Sequence, residues 1–467
     1  PGTILEFHYG HGFLAGSSIV ADTVRFPHGG HTISGTYNIA TATVCDAYVV
    51  NFTAAADIIS YGSTLHIQDG TVNFDTVIGG PIQLDTLNVS SSDGVANFNS
   101  GDPLEIMHLI IGRGMIRSPG DITITGSFTW NAGGDFDGTG DIHANCDVLV
   151  NPSGDQKTLS NCTFNNAATA TFLGGINRSS SVFNNLPTGV MDIQADVGVL
   201  NNSFSDPFNN AGTVVKSAGA GTATFRGVVT NTGTVEVQSG VLGFTGSYGG
   251  SYIQTAGQTV LNGGDLSMSV PAAIQINGGL LTGGGTITAN NLYVGGTLAP
   301  GLSVGVIDMD GAYTQTATGT LEIEIAGLSQ VNEYDQLRVT GNATLGGELD
   351  VCLIDGFEPS LGDSFSILTY GSRSGEFNSV YLPALDAGLE WNVSYETNSL
   401  RLIVAQKPPC PGDLDGDWDV DLSDLAHLLG NYGMTSGAEP ENGDMDNDGD
   451  VDLSDLAALL GYYGTTC

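Results

Sequence analysis

Asn210-Ala211-Gly212-Thr213-Val214 returns 21 residues later as Asn231-Thr232-Gly233-Thr234-Val235, and the same turn-then-strand text continues in Gly257-Gln258-Thr259-Val260 and Gly285-Thr286-Ile287. Gly-Gly pairs begin at 263, 278 and 295. Between the turns apolar and polar residues alternate, which sends successive side chains to opposite faces of a strand. A loose period of about 20 to 28 residues is that of a solenoid whose coil is one supersecondary unit. Coils stack on one another, so the core grows with their number and 467 residues need not divide into domains of roughly 150. A β-sandwich would explain the alternation but not a returning Asn-x-Gly-Thr. The expected fold is mainly β. A parallel β-helix or β-solenoid covers residues 1–327, and a β-rich cap covers 328–405, where Leu389, Trp391, Val393 and Tyr395 alternate ahead of Leu400, Leu402 and Val404. Such a cap would protect the edge of the last coil.

Composition narrows the partners. Fifty acids face eleven bases, for a formal charge of −39. This field repels nucleic acid and anionic membranes, and cations become the natural counter-species. The 68 glycines lack a Gly-X-Y period and read as turns. No apolar run reaches the roughly 18 residues of a membrane span. The chain opens at Pro1 without a signal peptide, so its N-terminus reads as processed or truncated.

Charge density marks a boundary. Residues 408–467 hold 14 acids and no Lys or Arg, and the three prolines of Pro408-Pro409-Cys410-Pro411 make residues 406–411 a stiff linker. Beyond it, GDLDGDWDVDLSDLAHLLGNYG at 412–433 and GDMDNDGDVDLSDLAALLGYYG at 443–464 match at 17 of 22 positions. Each copy fits a calcium loop with oxygen ligands at positions 1, 3, 5, 7, 9 and 12. The first set is Asp413, Asp415, Asp417, Asp419 through its carbonyl, Asp421 and Asp424. The second is Asp444, Asp446, Asp448, Asp450 through its carbonyl, Asp452 and Asp455. Two Ca2+ ions are expected, because carboxylates crowded this way repel one another without a cation. Gly449 occupies the sharp-turn position 6 of the second loop, whereas Trp418 stands there in the first, where a bulky side chain is strained.

After each loop, Leu422, Leu425, Leu428 and Leu429, and then Leu453, Leu456, Leu459 and Leu460, recur at helical spacing. Neither stripe can bury itself, so the two copies should pack together. Glycines at 430 and 433, and at 461 and 464, should end the helices early. Cys410 and Cys467 bracket the unit, and a two-fold pairing would bring them close enough for a disulfide.

A duplicated Asp-rich loop plus one helix, lacking the entering helix of a full EF-hand, resembles the type I dockerin family over residues 412–467. The resemblance implies a small α-helical, calcium-dependent module that docks a secreted or cell-surface protein onto a cohesin-like domain. The family uses loop positions 10 and 11 for recognition, and here these are Leu422-Ser423 and Leu453-Ser454. Separately, Gly296-Thr297-Leu298-Ala299-Pro300-Gly301, Tyr313-Thr314-Gln315 and Leu321-Glu322-Ile323-Glu324-Ile325 resemble the closing repeats of autotransporter-type passenger regions, which are β-helical.

Other fragments could carry chemistry. Gly301-Leu302-Ser303-Val304-Gly305 matches G-x-S-x-G, which needs a strand before it and a helix after it. Gly10-His11-Gly12 matches one motif of β-helical polygalacturonases, without the N-T-D or R-I-K elements. His8, His11, His28 and His31 form two H-x-x-H pairs of possible metal nitrogens, with surface turns as the simpler reading. Asp135, Asp137, Asp141, His143 and Asp147 could supply an acid and a base for a glycan, with Arg113, Arg117 or Arg178 beside them, although Asp and Gly are also turn residues. The expected function is a surface-displayed solenoid tethered through the calcium module. The alternative is a polysaccharide lyase or glycoside hydrolase recruited by that module, with polysaccharide as a further candidate partner.

Overall fold

The computed structural model describes residues 2–152, 154–201, 206–245, 250–269, 271–330, 332–408 and 410–465. It is a parallel β-solenoid of about 14 turns with two helices at its C-terminal end. Through the middle of the chain each coil supplies three short strands, and each strand pairs in parallel with the third strand after it. Lys157–Ser160 lies along Ile176–Ser179, Thr163–Asn166 along Val182–Asn185, and Thr169–Phe172 along Val190–Ile193. Strands of four residues suffice because each is backed by a copy of itself on either side.

The register explains the returning motif. Asn166, Asn185, Asn210 and Asn231 face each other across successive coils and point into the core. Each side-chain amide donates to the amide oxygen of the next, at 2.8 Å from Asn166 to Asn185, 2.8 Å to Asn210 and 2.7 Å to Asn231, and Asn231 donates to Gln254 at 3.1 Å. These steps are 19, 25, 21 and 23 residues long, matching the loose period. The same amides donate to backbone carbonyls of the turn, as Asn210 does to Thr234 at 2.9 Å. Buried amides are tolerable only when satisfied in this way. The motif's glycine follows from the same stacking, since a Cβ on Gly233 would sit 2.1 Å from the Gly212 carbonyl oxygen.

The rest of the core is aromatic and aliphatic. Phe52, Phe74 and Phe98 stack nearly parallel, at 5.4 Å and then 4.5 Å between ring centroids. Phe164, Phe183, Phe208, Phe225, Phe244 and Tyr252 form a second column. Parallel stacking runs on past residue 328, through Ser372–Gly375 and Ser379–Tyr381. Antiparallel pairing then takes over, with Ser399–Gln406 bonded to both Ser364–Thr369 and Leu389–Tyr395. No helix among the described residues is long and apolar enough to cross a membrane.

The C-terminal unit contains α1 (Leu422–Asn431) and α2 (Leu453–Tyr462). Each starts with the same device, in which the N-cap Asp421 or Asp452 accepts from the first turn while Asp424 or Asp455 reaches back to the cap N–H. The copies exchange short backbone bridges. The Val420 N–H donates to the Thr465 carbonyl beyond α2, and the Gly433 N–H beyond α1 donates to the Val451 carbonyl. Val420, Leu428, Ala438, Val451 and Leu459 form the small shared core.

Two details of these helices differ from the sequence reading. Both helices run through Gly430 and Gly461, ending before Gly433 and Gly464, which take φ of 93° and 80°. The leucine stripe also splits. Leu428 and Leu459 are buried and Leu425 and Leu456 half-buried, but Leu422, Leu429, Leu453 and Leu460 remain 66%, 51%, 67% and 52% exposed. Residues seven apart share a helix face, and one short partner helix covers only the neighbouring strip.

Candidate metal centre

Each acidic loop bends its carboxylates inward. In the first, oxygens of Asp413, Asp415 and Asp424 lie within 4.8 Å of one another, as do those of Asp417, Asp419 and Asp424. In the second, Asp444, Asp446 and Asp455 converge, as do Asp450, Asp452 and Asp455. Among the described residues these are the only places where three or more metal-binding side chains meet so closely. Asp424 and Asp455, the position-12 residues, are completely buried and belong to both groups of their loop. Each accepts three backbone N–H bonds, for Asp424 from Leu414 at 2.6 Å, Asp415 at 3.2 Å and Asp421 at 2.8 Å. Asp421 and Asp448 fall outside these close groups. Asp421 accepts from the Ser423 N–H at 2.6 Å as helix cap, and Asp448 from the Asp450 N–H at 3.1 Å.

The electrostatics favour a cation. Loss of water and then the Asp417 carboxylate push Asp415 above its ordinary value, and Asp446 is raised in the same way by desolvation and Asp448. Desolvation and neighbouring carboxylates also raise Asp419 and Asp450. Against the desolvation of its own burial, backbone N–H groups from Asp452, Met445 and Asp446 hold Asp455 low. The Oδ1 atoms of Asp419 and Asp450 are buried without a hydrogen-bond partner. At position 7 the sequence reading assigned the carbonyl, whereas here the side chain too turns toward the cluster. A cation held by several of these oxygens would relieve the repulsion.

No family model matches the chain, and no curated protein matches it significantly.

Position 6 is left-handed in both loops, at φ 71° for Trp418 and 90° for Gly449, and each of these residues donates its N–H to the position-1 carboxylate. Cys410 is disulfide-bonded, while Cys45, Cys146, Cys162 and Cys352 are free. Cys467 lies outside the described residues.

The solenoid candidates separate. Asp135 and Asp137 flank buried Phe136 on one strand, His143 sits on the next strand, Ile142–Ala144, and Asp147 precedes the one after, Val148–Val150. These three strands belong to three different ladders, so the five side chains do not face one site. Arg117 pairs with Asp137 at 3.3 Å and Arg113 with Asp155 at 2.9 Å. Arg178 lies in the core, donating to the carbonyls of Pro207 and Arg226 at 2.7 Å each, and burial pushes it down to about 10. It ties coils together and presents no surface base. Ser303 lies between strands Thr297–Pro300 and Val306–Gln315 with no helix following, so the nucleophile-elbow context is missing. The histidines pair across coils, His8 with His28 and His11 with His31, at 6.4 Å and 5.7 Å between ring centroids. His31 is buried and donates to the His28 carbonyl at 2.7 Å.

Sequence reasoning missed a cleft of about 640 Å³ on the first coils, lined by His28, Asp46, Tyr48, Asp69 and Asp93. Asp46 and Asp69 are register partners, and Tyr48 is 89% exposed. Its residues come one or two per coil, so no local pattern announces them.

Proposed function

We propose that the protein is a secreted or cell-surface β-solenoid whose C-terminal module binds two calcium ions and docks onto a cohesin-like protein domain. The observation that carries this reading is the repeated pair of inward carboxylate loops. All-oxygen donor sets from alternate positions, closed by a buried position-12 carboxylate, suit calcium over softer metals. Asp413, Asp415, Asp417, Asp419, Asp421 and Asp424 would hold one ion, and Asp444, Asp446, Asp448, Asp450, Asp452 and Asp455 the other.

The docking role is supported by what the helices leave uncovered. Leu422, Leu429 and Tyr432 on one copy, and Leu453, Leu460 and Tyr463 on the other, are exposed at equivalent positions. An apolar patch rimmed by acid is a recognised mark of a protein-binding surface. An extracellular address is supported by calcium supply and by the disulfide at Cys410, which an oxidising compartment permits. Calcium titration of the full chain should give two ions, and Asp424→Asn and Asp455→Asn should each remove one. A chain that binds no calcium at millimolar concentration refutes the proposal. Docking is checked by calcium-dependent capture of a cohesin domain, which Leu422→Asp with Leu453→Asp should abolish.

A second reading, in which the solenoid takes a polysaccharide, is favoured by the cleft at Asp46, Tyr48 and Asp69. Carboxylates beside an exposed aromatic ring can hold hydroxyls and a sugar face. Glycan binding that survives Asp46→Asn with Tyr48→Ala would exclude this cleft.

A further inference from the structure

The two acidic loops differ at three positions, Leu414/Met445, Gly416/Asn447 and Trp418/Gly449, and of these the Trp418 indole is not idle. It lies against Gly388 in the turn before strand Leu389–Tyr395, where a Cβ would come within 2.7 Å of the ring. Gly388 is buried at φ 82°, and its carbonyl accepts from the Lys407 N–H at 2.9 Å. The Lys407 ammonium in turn stands 6.0 Å from the indole centroid, within reach of a cation–π contact. The end of the solenoid, the first residues of the linker and the first loop therefore meet at one ring. At the other end of the same residue, the Trp418 N–H donates to Asp413, the first carboxylate of the loop, at 3.0 Å. Gly449 makes the equivalent backbone bond to Asp444, but the space where its side chain would project is open.

We infer that Trp418 is an internal latch that docks the calcium module onto the solenoid's last turn, so that filling the first loop fixes the module's orientation on the rod. This rests on the calcium reading above. A side chain held at positive φ is aimed by its backbone, and closing the loop around an ion sets that backbone. By linkage, docking and calcium binding at the first loop then favour each other, by a factor of roughly five or more for a coupling of ordinary size. The second loop, with Gly449, has no such contact. Leu422 stays exposed while Trp418 is docked, so the latch leaves the proposed partner surface free.

The test is amide relaxation of the full chain by NMR, with calcium binding followed separately by calorimetry. With calcium, module amides of the natural protein should tumble at the rate of the whole 48.0 kDa chain. In Trp418→Gly, which copies the second loop and removes the left-handed strain, two ions should still bind but the module should tumble as a small independent body. Trp418→Phe, which keeps a ring, should stay largely docked. A module that tumbles freely in the calcium-loaded natural protein, or one equally rigid in Trp418→Gly, overturns the latch while leaving the calcium reading intact. Calorimetry showing no bound ion in either protein overturns the calcium reading, and the coupling falls with it.

Discussion

Replacing Asn210 by Ala removes one link of the inner amide column. Asn210 is 1% exposed and makes three bonds of 2.9 Å or shorter, accepting from Asn185 and donating to Asn231 and to the Thr234 carbonyl. At about 1 kcal/mol each the loss is about 3 kcal/mol, before any cost of the small void left by the amide. Asn209, one residue earlier, faces solvent and makes a single 2.9 Å bond to Asn184. Its replacement should cost about 0.5 kcal/mol or less. Solenoids unfold by segments, so a global melt would blur the difference. Hydrogen exchange resolves it, since about 3 kcal/mol corresponds to roughly 150-fold faster exchange of the amides around residues 185–234 in Asn210→Ala. Asn210→Asp should be worse at neutral pH, because it sets acceptors against the Asn231 and Thr234 oxygens. That variant should recover as pH falls and the carboxyl gains a proton to donate. Equal exchange in Asn209→Ala and Asn210→Ala would refute the claim that the buried column, and not asparagine in general, holds the coils in register.

Three further outcomes are expected. Asp335 accepts from the Gly305 and Glu324 N–H groups, yet burial beside Glu324 pushes it up to about 7. The folded chain holds this proton to higher pH than the unfolded one, so the local contribution to stability falls between about pH 4 and pH 7, and carboxyl NMR giving a midpoint near 4 would contradict it. Lys216 is fully buried, bonded to Asp196 at 3.0 Å and the Ala218 carbonyl at 2.8 Å. Lys216→Met should destabilise its coils by about 1–3 kcal/mol through orphaned acceptors, and unchanged exchange there would oppose that. Removing calcium with a chelator should release α1 and α2 while the solenoid keeps its β spectrum. Helical signal that persists in excess chelator would mean the module folds without metal.

Much of this architecture can be read from residues alone. The Asn-x-Gly-Thr return was legible because an inward amide and a close-packed glycine recur together in the neighbouring coils at Asn210 and Asn231. The carboxylate loops were legible because ligand spacing is local. What escaped depends on distant coils meeting. Asp46, Asp69 and Asp93 line one cleft from neighbouring coils, and the sequence gives no sign that Arg178 reaches Pro207 and Arg226. The leucine stripe misled in part because periodicity shows which residues share a helix face but not how wide the covering partner is.

The inner amide column also has a direction. Every Nδ2 from Asn166 to Asn231 points to the following coil, and Gln254 ends the run by turning its amide onto the Gly278 and Leu280 carbonyls. At the other end the Asn166 amide oxygen is buried without a partner among the described residues. Each interior coil thus receives one donor and passes one on, which makes it an interchangeable part. A whole coil can be duplicated or lost between these ends with every amide still answered, while a fraction of a coil cannot. Heritable change in the length of this rod should therefore come in steps of a single turn.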